Sequence, residues 1–200
     1  MLKPYMKSDE IKLFLKYLKI TNNIVEFGSG GSTLFILNNN INKLTSVETD
    51  KNWYNKLLSN SIIRKAIEDK KLNLIYHDIS CAKWWQYTKW GKITKIMKDV
   101  NVLEKWKKYS DIIYSIDNNT NLVLIDGRFR VPVLLKLYNK ISNNTFVLFH
   151  DYPSRKQYYI IENFYNLVEY KNKLYVFKKK EKINEKMLQS KILEFELQID

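Results

Sequence analysis

The sequence predicts an α/β fold, a doubly wound and mostly parallel sheet with helices on both faces. Three observations predict it. Short, near-continuously apolar runs recur along the chain, as strands covered on both faces should read. Segments with helical spacing separate these runs, the alternation that builds an open parallel sheet. The first run, Ile24-Val25-Glu26-Phe27, passes into Gly28-Ser29-Gly30-Gly31-Ser32-Thr33, which holds three of the chain's five glycines. Glycine permits positive φ and close backbone approach, and the helix that follows points free N–H groups into the same space.

Taken in order, residues 8–20 read as an amphipathic helix. Ser8 is its expected N-cap, Asp9 and Glu10 suit the first turn, and Ile11, Phe14, Leu15 and Leu18 make one apolar face. This helix is expected to cover the sheet edge. Strand one is 24–27, with its helix over 31–39, and strand two is 44–48. Trp53, Leu57 and Leu58 belong to a helix from about Asp50, and a further helix covers 60–69. Residues 72–78 form the third strand and end in Asp78. Segment 80–118 is an aromatic-rich insertion holding Trp84, Trp85, Trp90 and Trp106, with Tyr87 and Tyr109. Its tryptophans either stack on a ligand or pack the insertion onto the body. After Tyr109, Ile112, Ile113 and Ile116 read as a helical face. Residues 121–125 are the fourth strand, closed by Asp126-Gly127-Arg128-Phe129-Arg130. A helix follows with Pro132 in its first turn. Residues 145–149 are the fifth strand, closed by His150-Asp151. A helix over 157–167, a strand over 174–178 and a C-terminal helix over 180–200 complete the chain. That last helix either docks on the body or pairs with a second subunit.

Composition sets the outer bounds. The 200 residues suit one domain with its own core, and 45% hydrophobic with 28% charged residues is globular rather than disordered. The single cysteine, Cys81, has no partner for a disulfide or a zinc site, which points to a reducing compartment such as the cytoplasm. No apolar run reaches membrane-spanning length, and lysines with Pro4 interrupt what would have to be a secretory leader. The net charge of +13 admits a nucleic-acid partner. It is also what an AT-rich genome gives, since nearly all of it is lysine, only Arg64, Arg128, Arg130 and Arg155 are arginine, and asparagine is abundant. Phosphate and base readers favour arginine forks, which disfavours nucleic acid here.

A glycine turn twenty residues before a strand-end acid, Glu48, is half of a nucleotide-binding unit. The dinucleotide fingerprint wants a third glycine where this chain has Thr33. Acidic-x-Gly-x-Gly-Gly from Glu26 to Gly31, followed by Val47-Glu48, instead resembles the first two motifs of class I S-adenosylmethionine (SAM) methyltransferases. The resemblance spans residues 24 to about 178. It implies a Rossmann-like sheet of seven strands, one of them reversed near the C-terminal end. It implies SAM held by Glu26, Gly28, Ser29, Gly30, Gly31, Ser32, Glu48, Asp78 and Asp126. Glu26 would orient the loop or take the amino group, Glu48 would take the ribose diol, and Asp78 would face the adenine amino group, or else be an exposed loop aspartate or a helix cap.

Methyl transfer needs an aligned nucleophile relieved of its proton. His150, one of two histidines, is the candidate base, or else a strand-end histidine with a structural hydrogen bond. Asp126 and Asp151, at neighbouring strand ends, offer a second route as ligands to a divalent metal such as Mg. That placement resembles catechol-type and macrolide-sugar O-methyltransferases, although His150-Asp151 replaces their more familiar acid pairs. Ile125–Arg130, Phe149–Tyr152 and Trp90-Gly91 together resemble a small methyltransferase group of bacteria and large DNA viruses, often encoded near surface-glycan genes. The resemblance implies O-methylation of a sugar or glycan hydroxyl, in the host cytoplasm if the chain is viral. Arg128, Arg130, Tyr152, Arg155 and Trp90 are the expected acceptor lining. Two rivals remain open: a nucleic-acid methyltransferase, and a non-catalytic SAM-fold subunit pairing through the C-terminal helix. The former is disfavoured because Ile-Asp-Gly-Arg stands where base-amino enzymes carry Asn/Asp-Pro-Pro-Tyr. A NAD-dependent oxidoreductase is a distant third.

Overall fold

A computed structural model of the chain describes residues 3–79, 88–89, 92–93 and 100–199. Strands β1 (Asn23–Phe27), β2 (Lys43–Glu48) and β3 (Leu72–Tyr76) are followed by a two-stranded hairpin of β4 (Thr88–Lys89) and β5 (Lys92–Ile93). The main sheet continues with β6 (Leu122–Ile125), β7 (Phe146–Phe149), β8 (Tyr165–Lys171) and β9 (Leu174–Lys179). Its seven strands run in the order β3-β2-β1-β6-β7-β9-β8. The first five in that order are parallel, and β9 enters antiparallel to both β7 and β8. This is a Rossmann-like, doubly wound sheet with the reversed strand expected. The winding changes direction between β1 and β6, where an open α/β sheet leaves a crevice at its carboxyl edge.

Period-two alternation sends the strands' side chains to two separate cores. Val25, Phe27, Val123, Ile125, Val147 and Phe149 face one of them, together with Trp106 and Tyr109 of α5 (Val100–Asp111) and the apolar side of α6 (Arg130–Leu137). Ile24, Leu44, Leu122, Leu124 and Leu148 face the other. It is closed by α1 (Ser8–Leu18), α2 (Gly31–Leu37) and α4 (Ser61–Glu68). Helix α3 (Lys51–Leu58) follows β2 and is capped by Asp50, whose carboxylate accepts the Trp53 N–H at 2.8 Å. Among the described residues no helix is long and apolar enough to cross a membrane.

Several expectations are corrected. Helix α1 begins at Ser8, with Lys7 as its N-cap residue, and it buries Glu10, Leu13, Phe14, Tyr17 and Leu18. Ile11 and Leu15 are only partly buried. The helix turns Glu10 and Tyr17 inward because partners await them: Glu10 accepts the Lys173 N–H at 2.8 Å, and the Tyr17 hydroxyl donates to Glu169 at 2.5 Å. In place of an α-helix over 157–167, a 3-10 helix spans Lys156–Asn163 and β8 starts at Tyr165. Tyr158 and Ile161, its buried residues, lie three apart, which matches three residues per turn. The tail helix α7 (Glu185–Phe195) docks on the body. Leu188 and Ile199 are buried, and Met187, Ile192 and Phe195 pack on the same core. In the insertion, Trp106 and Tyr109 are fully buried and pack against Phe129, so these two aromatics serve the core. Cys81, Trp84, Trp85, Tyr87, Trp90 and Gly91 lie outside the described residues.

Candidate functional site

The carboxyl ends of β1, β2 and β6 enclose a cavity of about 520 Å³. Its size is in the range of small-molecule sites, roughly 300–1,000 Å³. The turn Gly28–Ser32 forms one wall, Val47–Asp50 a second, and Asp126–Arg128 with Arg130 a third. The glycines have distinct reasons. Gly28 has φ +102°, and a Cβ there would lie 2.6 Å from the Gly127 nitrogen. The turns after β1 and β6 therefore touch backbone to backbone. A Cβ on Gly31 would lie 2.0 Å from the Lys3 carbonyl oxygen. The N-terminal segment thus lies directly on the turn, and Lys3, Pro4, Tyr5 and Met6 line the cavity from above.

Glu26 is fully buried beneath this turn. Its carboxylate accepts from the Ser32 hydroxyl, from Thr33 Oγ1 at 2.6 Å and from Ser46 Oγ at 2.5 Å. Burial raises its pKa from 4.5 to about 7, against the lowering effect of these three donors. Glu26 does not line the cavity. It fastens the turn to β1 and β2 from below, the loop-orienting alternative of the two expected of it. Ser29 joins the same network through Ser46 at 2.6 Å.

Glu48 does line the cavity, at the end of β2. One oxygen accepts the Thr49 and Asp50 N–H groups, both at 2.7 Å, which leaves the other for a ligand hydroxyl. Burial raises its pKa, tempered by those two N–H groups. Trp53 and Tyr109 also line the cavity, and the Trp53 indole donates to the Ser29 carbonyl at 2.9 Å. Sequence reasoning placed Trp53 only on a helix, and Tyr109 in an insertion open to either packing or ligand contact. The helix-opening acid three residues upstream, Asp50, was the available signal for Trp53.

On the far side, His150 Nδ1 lies 3.1 Å from Asp126 Oδ1. His150 Nε2 lies 3.8 Å from buried Glu10, beyond hydrogen-bond reach. Burial pulls the His150 pKa down, but the Asp126 hydrogen bond and the charges of Asp126, Asp151 and Glu10 outweigh it and hold it above its ordinary value. Asp151 is held low: burial alone would raise it, and Lys173 at 3.0 Å, His150 and Arg130 prevail. Arg130, expected against an acceptor, lines the first cavity and also braces it. It donates to the Gly127 carbonyl at 2.9 Å, to that of His150 at 2.5 Å and to that of Asp126 at 3.2 Å.

The remaining expected residues lie elsewhere. Asp78 does not line the cavity and accepts from Lys105 Nζ at 2.5 Å. Tyr152, expected in the acceptor lining, is buried against Phe149 and Phe177, with its hydroxyl donating to Glu162 at 2.7 Å. Arg155 pairs with the Tyr158 hydroxyl at 3.0 Å. Trp90 lies outside the described residues. His150 and Asp151 line a second cavity behind the first.

No protein-family model and no curated protein matches the sequence. Among solved structures, the chain is similar to a methyltransferase-like protein (spo2022) from Silicibacter pomeroyi DSS-3, at 20% identity and a TM-score of 0.74 over 98% of each chain. It is also similar to the methyltransferase candidate yhhF of Escherichia coli, at 12% identity and a TM-score of 0.52 over 90% of each chain. Likeness at these identities establishes the fold, and function has to be argued from the site.

Proposed function

We propose that the chain is a SAM-dependent O-methyltransferase acting on a hydroxyl of a sugar or glycan. The observation that carries this reading is the cavity at the winding switch, where the Gly28–Ser32 turn, Glu48 and Asp126 meet, with His150 3.1 Å from Asp126. A sulfonium nucleoside fits these residues. The turn admits its methionine and ribose portions, and the available Glu48 oxygen accepts a ribose hydroxyl. When bound, the donor supplies a methyl group already activated by positive sulfur. The chain's own task is to place an oxygen and remove its proton. Asp126 takes the His150 Nδ1–H and fixes that tautomer, leaving Nε2 with the lone pair as general base. Arg130 holds the two strand ends in register through their carbonyls.

A second reading has an observation of its own. Asp126, His150 and Asp151 each offer a ligand atom within 4.8 Å of the others, a donor set suited to a divalent cation. Arg130, 3.4 Å from the Asp126 carboxylate, and Lys173, on Asp151, already supply positive charge there, which favours the metal-free base.

The test has two stages. Calorimetry with S-adenosylhomocysteine comes first; folded protein that does not bind it sinks the donor assignment and favours a non-catalytic subunit. Labelled SAM is then offered with nucleotide sugars, rhamnose-type glycans, catechols and RNA. Transfer to a sugar that survives EDTA supports the metal-free reading, and transfer abolished by EDTA and restored by Mg supports the metal. Transfer to RNA alone replaces the glycan assignment.

A further inference from the structure

The second cavity, of about 390 Å³, is lined by Pro4, Tyr5, Met6, Lys7, Glu10, His150, Asp151 and Lys173. We propose that it is the acceptor subsite and that it takes a pyranose ring, a proposal resting on the donor reading above. Three observations support it. The two cavities share a wall, because Pro4, Tyr5 and Met6 line both. The Asp126–His150 hydrogen bond links the two linings, since Asp126 lines the first cavity and His150 the second. The imidazole therefore has its orienting acid on the donor side, while its Nε2 faces Glu10 in the second cavity.

The lining suits a sugar. Glu10 is 2% exposed, and its carboxylate is fixed by the Lys7 N–H at 2.6 Å and the Lys173 N–H at 2.8 Å. Asp151 and Lys173 present an acceptor and a cation to ring hydroxyls. Tyr5 is 99% exposed and serves no core, so its ring is available to cover the apolar face of a pyranose. In the transfer, the acceptor's O–H proton passes to His150 Nε2 as its oxygen forms the new C–O bond. The carbon–sulfur bond of the sulfonium breaks with its electron pair, leaving a neutral thioether. Glu10 is a positioning residue here: it ties the start of helix α1 to the β8–β9 turn beside the base.

The test reads binding and needs no turnover. Protein carrying ¹³C-methyl methionine is saturated with S-adenosylhomocysteine. Methyl glycosides of glucose, galactose and rhamnose are then titrated in turn, following the Met6 signal assigned with Met6→Leu. At least one glycoside should shift Met6 saturably. Tyr5→Ala and Lys173→Ala should each weaken that glycoside roughly fivefold. Lys173→Ala should leave S-adenosylhomocysteine affinity within about twofold, because Lys173 lines only the second cavity. No shift with any of the three, or shifts that both variants leave intact, overturns the acceptor assignment. Failure to bind S-adenosylhomocysteine at the outset overturns the donor reading instead, and the two failures are distinct.

Discussion

The two sides of the cleft are held open by different means. On the β1–β2 side the geometry is made by backbone contact and by one buried carboxylate. Gly28 meets Gly127, Gly31 meets Lys3, and Glu26 gathers three hydroxyls. On the β6–β7 side it is made by charge. Arg130 spans three carbonyls, and His150 sits among Asp126, Asp151 and Glu10. The first arrangement tolerates no added atom at Gly28 or Gly31, and the second tolerates no lost charge. A side that shapes a cradle and a side that moves a proton need different materials.

The sharpest way to break the contrast is Gly28→Ala. The new Cβ would collide with backbone at 2.6 Å, at a φ of +102° that alanine resists. Both effects act at once, so the expected loss is roughly 4 kcal/mol or more, or no folded protein at all. Urea denaturation checks it, and a loss under about 1 kcal/mol would mean the two turns can separate freely.

Next in size is the pH response of the buried carboxylate. Glu26 ionises near 4.5 in the unfolded chain and near 7 in the folded one. The folded state therefore binds the extra proton between those values, and stability falls as pH rises through that window. Relative to Glu26→Gln, the wild type should lose about 3 kcal/mol between pH 4.5 and pH 7.5 and change little above it. Parallel stability curves for the two proteins would reject this account.

Arg130→Lys tests the charged side. A lysine ammonium cannot span three carbonyls as the guanidinium fork does. Stability should drop by about 2 kcal/mol in chemical denaturation. Unchanged stability would return Arg130 to the ligand-facing role its residue type invites. On the cradle side, Glu48→Ala should weaken S-adenosylhomocysteine about tenfold with the fold intact, the worth of one hydrogen bond to a charged oxygen. Equal affinity by calorimetry would remove Glu48 from the ribose.

Much of this was legible in the sequence because its signals are local. Strands β1, β6 and β7 are buried on both faces and so read as apolar runs, and the glycine turn, Glu48, Asp126 and His150 follow at strand ends. What the sequence hid depends on distant partners. Lys3–Met6 carries no period or motif, yet it lies on Gly31. Glu10 reads as a first-turn acid and proves to be buried beside His150, because Lys173 arrives from the far end of the chain to meet it. Tyr152 has the residue type of a ligand contact and is consumed by core packing, while Arg130 lines the cavity and also spans three local carbonyls. Strand β8 exposes most of its residues at the sheet edge and leaves no alternation to read.

The smallest expected effect separates shape from ligand within the turn itself. Gly30 has extended backbone at φ 173°, and the nearest atom to an added Cβ is the Trp53 indole nitrogen at 3.7 Å, an ordinary contact. Gly30→Ala should therefore change stability by no more than about 0.5 kcal/mol, because no neighbour has to move. The same methyl group lies against the cavity wall, where a bound nucleoside would have to share space with it. Weaker S-adenosylhomocysteine binding at unchanged stability would mean that Gly28 serves the fold and Gly30 the ligand. A stability loss as large as that of Gly28→Ala would mean that the whole turn is one rigid unit, and the division drawn between its glycines would fail.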